Sequence, residues 1–332
     1  MTIAGWFAFT LMLLGAALLL EAVAGYPKAL FSRIRHPVVW IGAMITELDR
    51  RWNLSTLPEP RRGLNGFIGL MAIVIVPVAL ATIVQVAVLA VLDSWLAASL
   101  LAILASSLFA QHSLHDHVAE VSEGLQTGDL ALARERVSMI VGRDPNSLDE
   151  AGVARAAIES LAENFSDGVV APAVWGAAGG LPGMVGYKAI NTADSMIGHR
   201  DDRYRAFGWS AARLDDLVNL PASRLSVLWI ILAALSLPSA SSWAALSTVW
   251  CDARRHRSPN AGWPEAAVAG ALGLRIGGPR RYPGLVVNDA WMGGGRVEAT
   301  ADDIDRALQL YRRACAAQYL TIAISAAAIW LG

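Results

Sequence analysis

The sequence predicts an all-α protein, a polytopic integral membrane protein whose cytoplasmic segments are also helical. Of its 332 residues, 55% are hydrophobic and only 17% are charged, and the mean hydropathy is +0.44. Several apolar runs have the length that a membrane-spanning helix needs, roughly 20 residues. The net charge of −1 provides no field that would attract nucleic acid, so we expect no nucleic-acid partner.

The basic residues are confined to three segments. All 27 Lys and Arg lie within residues 28–62, 134–224 and 254–313. The positive-inside rule produces such a distribution when the basic segments share the cytoplasmic side. We therefore expect one integral membrane domain, residues 1–332, with polar cytoplasmic segments at about 27–63, 111–224 and 250–314.

The first third of the chain predicts a helix, a surface element and a hairpin. Residues 3–23 are apolar and predict a retained spanning helix; a signal peptide is the competing interpretation, but no basic residue precedes the run. Apolar residues recur at helical spacing after His36, which predicts an interfacial helix. The runs 64–92 and 95–110 predict a helical hairpin, with a kink at Pro77.

The middle of the chain is more polar. Residues 118–139 predict two amphipathic helices with a break near Gly128. Ser147 and Glu150 have the spacing of a capping box, so we expect a helix from Leu148 to about Phe165, and Gly168 is expected to stop any further helical turn.

The last elements are shorter or less regular. Residues 169–184 are rich in Gly and Ala and contain two prolines, which suits a re-entrant or tightly packed element. The apolar run 225–237 is short, and we expect a hairpin that returns. Pro264 marks the first turn of another helix, and residues 314–331 predict a final apolar helix.

Residues 144–219 concentrate the polar side chains that could carry chemistry. On a helix, Glu159 and Glu163 stack one turn apart, and Asn164 and Asp167 continue the polar group. Two carboxylates and an amide at a helix end suit Mg²⁺, which prefers oxygen ligands. An ordinary solvated face is the alternative interpretation, but acidic residues in apolar surroundings are costly and tend to be functional.

A second predicted helix places Lys188, Asn191 and Asp194 on one face. A lysine there would act as a point charge on a phosphate or acyl oxygen, or it would only extend towards the membrane surface.

A third group follows along the chain. Arg200, Arg203 and Arg213 are suited to hold a carboxylate or phosphate through two hydrogen bonds, and Arg213 is favoured over Arg203. Asp215 and Asp216 add oxygen ligands, and some of these charges would pair only with one another.

Absent motifs narrow the class of protein. The sequence contains no Walker A motif, no G-x-G-x-x-G after a predicted strand, no G-x-S-x-G and no H-E-x-x-H. Walker-type ATPases, dinucleotide-binding folds, serine hydrolases and zinc peptidases therefore lose their usual support.

Several long motifs, in the same order along the chain, resemble the adenosylcobinamide-phosphate synthase family (CobD/CbiB). The motifs are Gly142-Arg143-Asp144, Ser160-Leu-Ala-Glu-Asn164, Ser166-Asp-Gly-Val-Val-Ala-Pro172, Tyr187-Lys-Ala-Ile-Asn191-Thr-Ala-Asp194, Arg213-Leu-Asp-Asp216 and Ser258-Pro-Asn-Ala-Gly-Trp-Pro-Glu265.

The resemblance implies a multi-pass inner-membrane enzyme of cobalamin biosynthesis with its active site on the cytoplasmic side. Such an enzyme is a carbon–nitrogen ligase. It joins (R)-1-aminopropan-2-ol, or its O-phosphate, to the free propionate of adenosylcobyric acid, with ATP as co-substrate and Mg²⁺ as cofactor. The implied partners are those small molecules and the lipid bilayer. A homo-oligomer, or association with later membrane enzymes of the corrinoid pathway, is left open.

The resemblance places candidate residues, and their chemistry suggests roles. Candidate catalytic residues are Glu163, Asp167, Lys188 and Asp194, and the candidate metal ligands are Glu163, Asp167 and Asp194. Candidates for binding substrate or phosphate are Arg143, Asn164, Asn191, Arg200, Arg213, Asp215, Asp216, Asn260 and Glu265.

Two other functions compete with this interpretation. Asp167-Gly168 and Ala171 match the start of the metal-binding motif of membrane phosphoalcohol transferases, but Pro172 replaces the arginine of that motif. The second competing function is that of a non-enzymatic sensor or transporter with the same fold. Such a protein would be expected to lose Glu163, Asp167 or Asp194, which this chain keeps.

Overall fold

The computed structural model describes residues 3–26, 35–142, 144–282, 285–287 and 289–331. The described chain is predominantly helical with very little strand, which confirms the predicted fold class. It divides into two compact units. The first comprises Met1–Ala110, Ala171–Asn219 and Ile322–Gly332, and the second Gln111–Val170 and Leu220–Thr321. The description as one integral domain stays a prediction.

The first unit is built from six helices and the end of a seventh. They are α1 (Ile3–Ala24), α2 (Pro37–Trp52), α3 (Glu59–Val91), α4 (Ser94–Ser106), α8 (Ala171–Ile197), α9 (Trp209–Val218) and the last residues of α13 (Ala301–Leu331).

The second unit contains the shorter helices and two small antiparallel sheets. Its α-helices are α5 (Gln111–Gln126), α6 (Leu130–Ser138), α7 (Glu150–Phe165), α10 (Leu220–Leu235), α11 (Ser242–Asp252), α12 (Gly262–Leu272) and most of α13. A π-helix spans Ser166–Val170, and 3₁₀ turns span Pro145–Ser147 and Ala253–Arg255. Strand β1 (Ile276–Gly277) pairs with β4 (Trp291–Met292), and β2 (Arg280–Tyr282) pairs with β3 (Leu285–Val287).

Five helical runs are long and apolar enough to cross a membrane, or six if α9 and α10 form one span. They are Ala4–Ala24, Glu59–Val91, Ser94–Gln126, Glu150–Ile197 and Ala301–Leu331. Helix α3 also exposes large apolar side chains, among them Ile75 and Ile83 at 60% and 64%. A surface of this kind is stable in lipid and unfavourable in water. The protein is therefore a membrane protein.

The predicted helices largely form where the patterns placed them. Helix α1 covers the first apolar run, and α3 and α4 form the two arms predicted for the hairpin. Asp93 is the N-cap of α4, and its Oδ1 accepts from the N–H groups of Trp95 and Leu96 at 3.1 and 3.0 Å. Pro77 lies inside α3. The predicted kink there stays a prediction.

The predicted capping of α7 is wrong in detail. Ser147 lies in the preceding 3₁₀ turn, and Asp149 is the N-cap, with Oδ1 accepting from Gly152 N–H at 2.7 Å. The predicted helix over 148–165 is confirmed, since α7 spans Glu150–Phe165, but Gly168 does not stop the helical run as expected. The chain instead widens into the π-helix and continues into α8. A π-turn keeps backbone hydrogen bonds, so a glycine there does not have to end the helix.

The first unit has a compact apolar core beneath its polar groups. Ile41 and Ile45 of α2 pack with Ile73 of α3, Ile197 of α8 and Phe207. These side chains are at most 6% exposed. The core fixes α2, α3 and α8 against one another, and α8 carries several of the candidate site residues.

Helix α8 is interrupted in its middle. Gly180 has φ of +62° and ψ of −150°, which removes it from the helical conformation, and Pro182 follows it. A side chain is disfavoured at such a φ. Gln85 of α3 compensates, because its Oε1 accepts from the N–H of Leu181 at 2.9 Å. The segment predicted to be re-entrant or tightly packed is thus a broken helix whose released backbone group is bonded by a neighbouring helix.

The bond at this break yields a stability prediction. Gln85→Leu leaves the buried N–H of Leu181 without this acceptor, which we expect to lower the free energy of unfolding by about 1–3 kcal/mol. Thermal unfolding of the purified protein in detergent measures the loss, and hydrogen exchange at Leu181 should become faster.

Thr82 on the same helix supplies the control. Its hydroxyl is exposed and donates only to Val78 O of its own helix, at 2.8 Å. Thr82→Val should therefore change stability by less than about 0.5 kcal/mol. Equal unfolding temperatures for both variants would contradict the proposed role of Gln85.

Candidate functional site

Three aspartates, one near the C-terminal end of α8 and two near the C-terminal end of α9, form an acidic group, which we call the aspartate cluster: Asp194, Asp215 and Asp216. Asp194 interacts electrostatically with Asp216 and with the opposite charge of Arg213. Asp215 interacts in turn with Asp194 and Asp216. The sequence placed these residues on two separate predicted elements, and the first unit brings them together.

Asp215 is the most enclosed of the three, at 9% exposure. Asn191 of α8 donates from Nδ2 to its Oδ1 at 3.3 Å, and Asn219 donates to its Oδ2 at 3.0 Å. The hydroxyl of Tyr187 donates to Asn219 Oδ1 at 2.9 Å and so orients that amide. Both oxygens of the carboxylate therefore have donors, as a buried acid requires.

Asp194 and Asp216 are less enclosed. Arg213 Nη1 lies 3.1 Å from Asp216 Oδ2. Gly198 closes the end of α8 directly against Asp194, because a Cβ at this position would come within 2.0 Å of Asp194 Oδ1. A side chain at residue 198 would thus displace the carboxylate. The cluster has three carboxyl groups beside the one guanidinium of Arg213, so acidic groups predominate where a cation would bind.

Lys188 and Arg200 border this region in different ways. Lys188 is half-buried on α8 and lies close enough to His36 to act on its charge. Burial first, and then the positive charge of Lys188, lower the pKa of the His36 imidazole. Arg200 is exposed in the connection between α8 and α9.

A buried polar network that the sequence analysis did not identify orders this connection. Asn53 Nδ2 donates to Asp49 Oδ1 at 2.8 Å and to Arg203 O at 3.1 Å. Arg62 donates from Nε to Asn53 Oδ1 at 2.8 Å, and from Nη2 to Arg203 O. Arg203 closes the network by donating to Asp49 Oδ2 at 2.6 Å. This bond raises the pKa of the Arg203 guanidinium.

The second unit holds a separate set of predicted site residues near the end of α7. Glu163 and Asn164 are exposed, and Asp167 is half-buried in the π-helix. Asn164 Nδ2 donates to Ser160 O at 2.9 Å, which orients its amide. Single π-turns inside α-helices are frequent at functional sites.

Glu159 is not part of this group, although the sequence stacked it under Glu163. It is 4% exposed, and its Oε1 accepts from the N–H of Gly277 at 2.8 Å. Its carboxylate therefore holds strand β1 against α7. Arg155, one turn earlier, donates to Val297 O at 2.6 Å.

Asn260 and Glu265 lie around the start of α12, also in the second unit. Asn260 Oδ1 accepts from Ser223 Oγ at 3.0 Å and from Arg224 Nη1 at 2.9 Å. Glu265 is fully buried, and its Oε2 lies 3.8 Å from His256 Nε2. Arg143 lies outside the described residues. Ligand binding by these three residues stays a prediction.

Both acidic groups suit a hard cation in the chemistry of their donors. No group of three or more His, Cys, Asp or Glu with metal-binding geometry occurs within the described ranges. Mg²⁺ does not need such a cage, because it usually binds through one or two carboxylates and takes its other ligands from water and substrate phosphates. The aspartate cluster fits that mode of binding.

Comparison with known proteins gives consistent matches over nearly the whole chain. A family profile described as CobD/Cbib protein matches residues 14–311. The cobalamin biosynthesis protein CobD of Rhodobacter capsulatus is 50% identical over 311 residues, which cover 94% of this chain and 95% of the relative. That of Rhizobium meliloti is 48% identical, covering 96% and 97%, and that of Brucella suis 47%, covering 91% and 92%. No solved structure matches the chain significantly.

The hydrogen bond from Tyr187 to Asn219 can be tested directly. Tyr187→Phe removes only the hydroxyl, and we expect it to lower the free energy of unfolding by about 0.5–1.5 kcal/mol. Chemical denaturation in detergent measures the change. Tyr319→Phe is the control, since the Tyr319 hydroxyl has no hydrogen bond within the described part of the chain. Equal stability of Tyr187→Phe and wild type would show that the bond does not orient Asn219.

Proposed function

The chain belongs to the CobD/CbiB protein family and has a role in cobalamin biosynthesis, and from this premise we propose that it is an ATP- and Mg²⁺-dependent amide ligase. It joins (R)-1-aminopropan-2-ol, or its O-phosphate, to the free propionate of adenosylcobyric acid. The product is adenosylcobinamide or its phosphate. The observation that carries the proposal is the aspartate cluster with Arg213 beside it, a group that accepts a magnesium nucleotide better than an uncharged ligand.

The chemistry requires activation of the propionate, because a carboxylate is a poor acyl donor at neutral pH. In the proposed reaction the carboxylate attacks the γ-phosphorus of ATP, which gives an acyl phosphate and ADP. The amine then attacks the acyl carbon, the C–O bond to phosphate breaks, and the nitrogen loses a proton to a base. The sum is one amide, one ADP and one inorganic phosphate.

In this proposal the acidic residues of the first unit bind the metal, and its basic residues bind anionic oxygens. Asp194 and Asp215 would hold Mg²⁺, which neutralises charge on the phosphates when it is bound. Arg213 and Lys188 hold anionic oxygens of the nucleotide or the acyl group, Arg213 through two hydrogen bonds and Lys188 as a point charge. Asn191 fixes Asp215, and so acts as a positioning residue.

Glu163 and Asp167 of the second unit are the candidates to accept the proton of the amine. Glu163 is exposed and Asp167 is half-buried, and the amide oxygen of Asn164 beside them would accept from the ammonium group. They also stay candidate metal ligands. Variants of Glu163 and Asp167, assayed separately from variants of Asp194, distinguish proton acceptance from metal binding.

The surroundings of the enzyme follow from the same proposal. We place it in the cytoplasmic membrane with the reaction on the cytoplasmic side, where ATP is present and where the positive-inside rule puts the basic segments. Its substrates are small molecules, and the bilayer covers its apolar helices.

The decisive assay uses the purified full-length protein. With adenosylcobyric acid, aminopropanol phosphate and MgATP, we expect one amide product by mass spectrometry and one ADP per amide. Asp194→Asn and Asp167→Asn should each reduce the rate by at least about 100-fold, because each removes a charged group from the proposed chemistry. Both variants should still insert into the membrane.

Glu123→Gln is the matched control, because Glu123 is an exposed acid on α5 outside both acidic groups. It should retain wild-type turnover. Unchanged turnover in both Asp194→Asn and Asp167→Asn would remove these residues from the site. Formation of a phosphodiester from a nucleotide-linked alcohol, without an amide, would favour the phosphoalcohol transferase, and absence of any product would favour the sensor or transporter.

The metal requirement is a further test. Removal of divalent cations with a chelator should abolish amide formation, because Arg213 and Lys188 alone do not replace the charge that Mg²⁺ places on the phosphates of ATP. Added Mg²⁺ should restore the rate. Ca²⁺, which prefers more ligands at longer distances, should restore little. Full activity in the presence of excess chelator would contradict the magnesium proposal.

A further inference from the structure

The second unit contains a cavity of about 420 Å³ outside both acidic groups. Its wall includes two guanidinium groups and an imidazole, with a hydroxyl and two apolar side chains between them: Arg224, Arg254, His256, Ser258, Pro259 and Trp263. Among the residues that the structure describes, no carboxylate lines it. The cavity is therefore positively charged, in contrast to the aspartate cluster.

Arg224 is held in position before any ligand arrives. Its guanidinium lies over the Trp263 ring, 4.4 Å from the centroid. Its Nη1 donates to Asn260 Oδ1 at 2.9 Å and to Ser223 Oγ at 2.8 Å. Its hydrogen bonds to other described residues all use Nη1, so the donors on Nη2 and Nε stay available. A fixed planar guanidinium with two such donors is suited to a phosphate group.

Arg254 adds a second positive charge to the same space. It is exposed, and its charge acts on that of Arg224. Neither arginine forms an ion pair with any acid that the structure describes. Two like charges facing one cavity repel each other, and an anion between them removes that cost.

The remaining wall is ordered by its own hydrogen bonds. Ser258 N–H donates to His256 Nδ1 at 3.0 Å, and Ser258 Oγ accepts from the N–H groups of Asn260 and Ala261 at 3.1 and 3.2 Å. The buried Glu265 lies behind His256. These contacts order the loop that forms part of the cavity wall.

Size and charge identify the class of ligand. Ligand pockets are typically about 300–1,000 Å³, so this cavity exceeds what inorganic phosphate needs and accommodates a small organic group as well. A phosphomonoester carries a charge of about −1.5 to −2 at neutral pH, which matches two guanidinium groups better than the single charge of a phosphodiester. Trp263 and Pro259 offer apolar surface to the organic part.

We propose that this cavity binds the phosphate group of a soluble phosphomonoester through Arg224 and Arg254. The proposal does not rest on the ligase reaction, because it follows from the cavity itself. If the ligase function also holds, the cavity favours the O-phosphate of the amino alcohol over the free alcohol.

Calorimetric titration of the full-length protein in phosphatidylcholine nanodiscs tests the proposal, with O-phosphoethanolamine as the probe. We expect saturable binding that is at least about tenfold tighter than that of ethanolamine, because the phosphate supplies the charge-assisted contacts. Arg254→Gln should weaken binding at least about tenfold. Arg224→Gln should weaken binding to the same extent. If Arg224→Gln unfolds because it loses the contact with Trp263, Arg254→Gln alone decides the result.

Arg255→Gln is the matched control for Arg254→Gln. Arg255 carries the same charge one residue away, but it pairs with Asp252 at 3.0 Å and does not line the cavity. It should leave affinity within about twofold of wild type, as expected for a surface charge away from the ligand. Equal weakening by both variants would mean non-specific attraction and would overturn the proposal. Failure of the probe to bind would also overturn it.

The lipid arm of the experiment addresses the other source of phosphate. Helix α11 exposes Trp243 and Trp250 at 77% and 85%, so an anionic lipid headgroup near this helix is the main competitor. Nanodiscs that contain phosphatidylglycerol should leave the affinity for O-phosphoethanolamine within about threefold, since a phosphodiester matches the cavity less well. If O-phosphoethanolamine no longer binds in these nanodiscs and phosphatidylglycerol binds instead, the cavity is a lipid-headgroup site. That result would refute the phosphomonoester proposal.

Discussion

A carboxylate that is removed from water needs hydrogen-bond donors around it, and Asp215 meets this requirement through two amides. Asn191 comes from α8, and Asn219 lies at the end of α9, the helix that carries Asp215. Satisfying the one acid therefore fixes the ends of two helices relative to each other. Asp194 and Arg213 lie on these same helices, so the geometry of the whole acidic group follows from the enclosure of one carboxylate.

The same requirement explains the network around Asn53, but this network holds the backbone in place and does not form part of the acidic group. Arg62 and Asn53 are 9% and 6% exposed, and both are bonded to the backbone of the connection between α8 and α9. A buried arginine without partners would be costly, so these bonds hold the connection in one conformation. Arg200 is carried on that connection. Residues that contact no substrate thus decide what a site residue can reach.

Sequence patterns predicted the long helices because their apolar runs have no alternative in lipid, and they found the polar residues of the site because such residues are scarce in this chain. The cap of α7 was wrong because Ser147 and Asp149 both have capping chemistry, and the pattern does not choose between them. The network around Asn53, which includes Asp49, was missed for a different reason. Arg203 contacts it from 154 residues away along the chain, and no local periodicity encodes such a pair.

The helical run Glu150–Ile197 departs from regular α-helical geometry at two points. The backbone hydrogen bonds at these two points are satisfied in different ways. At Gly180 the helix loses a backbone bond, and Gln85 supplies the acceptor, so this break is explained by packing alone. The π-helix at Ser166–Val170 keeps its bonds within the chain but adopts a turn that is rare in proteins. Such turns are frequent at functional sites, and this one carries Asp167. The physical argument for Asp167 as a functional residue is therefore the backbone that holds it, more than the acidity that first drew attention to it.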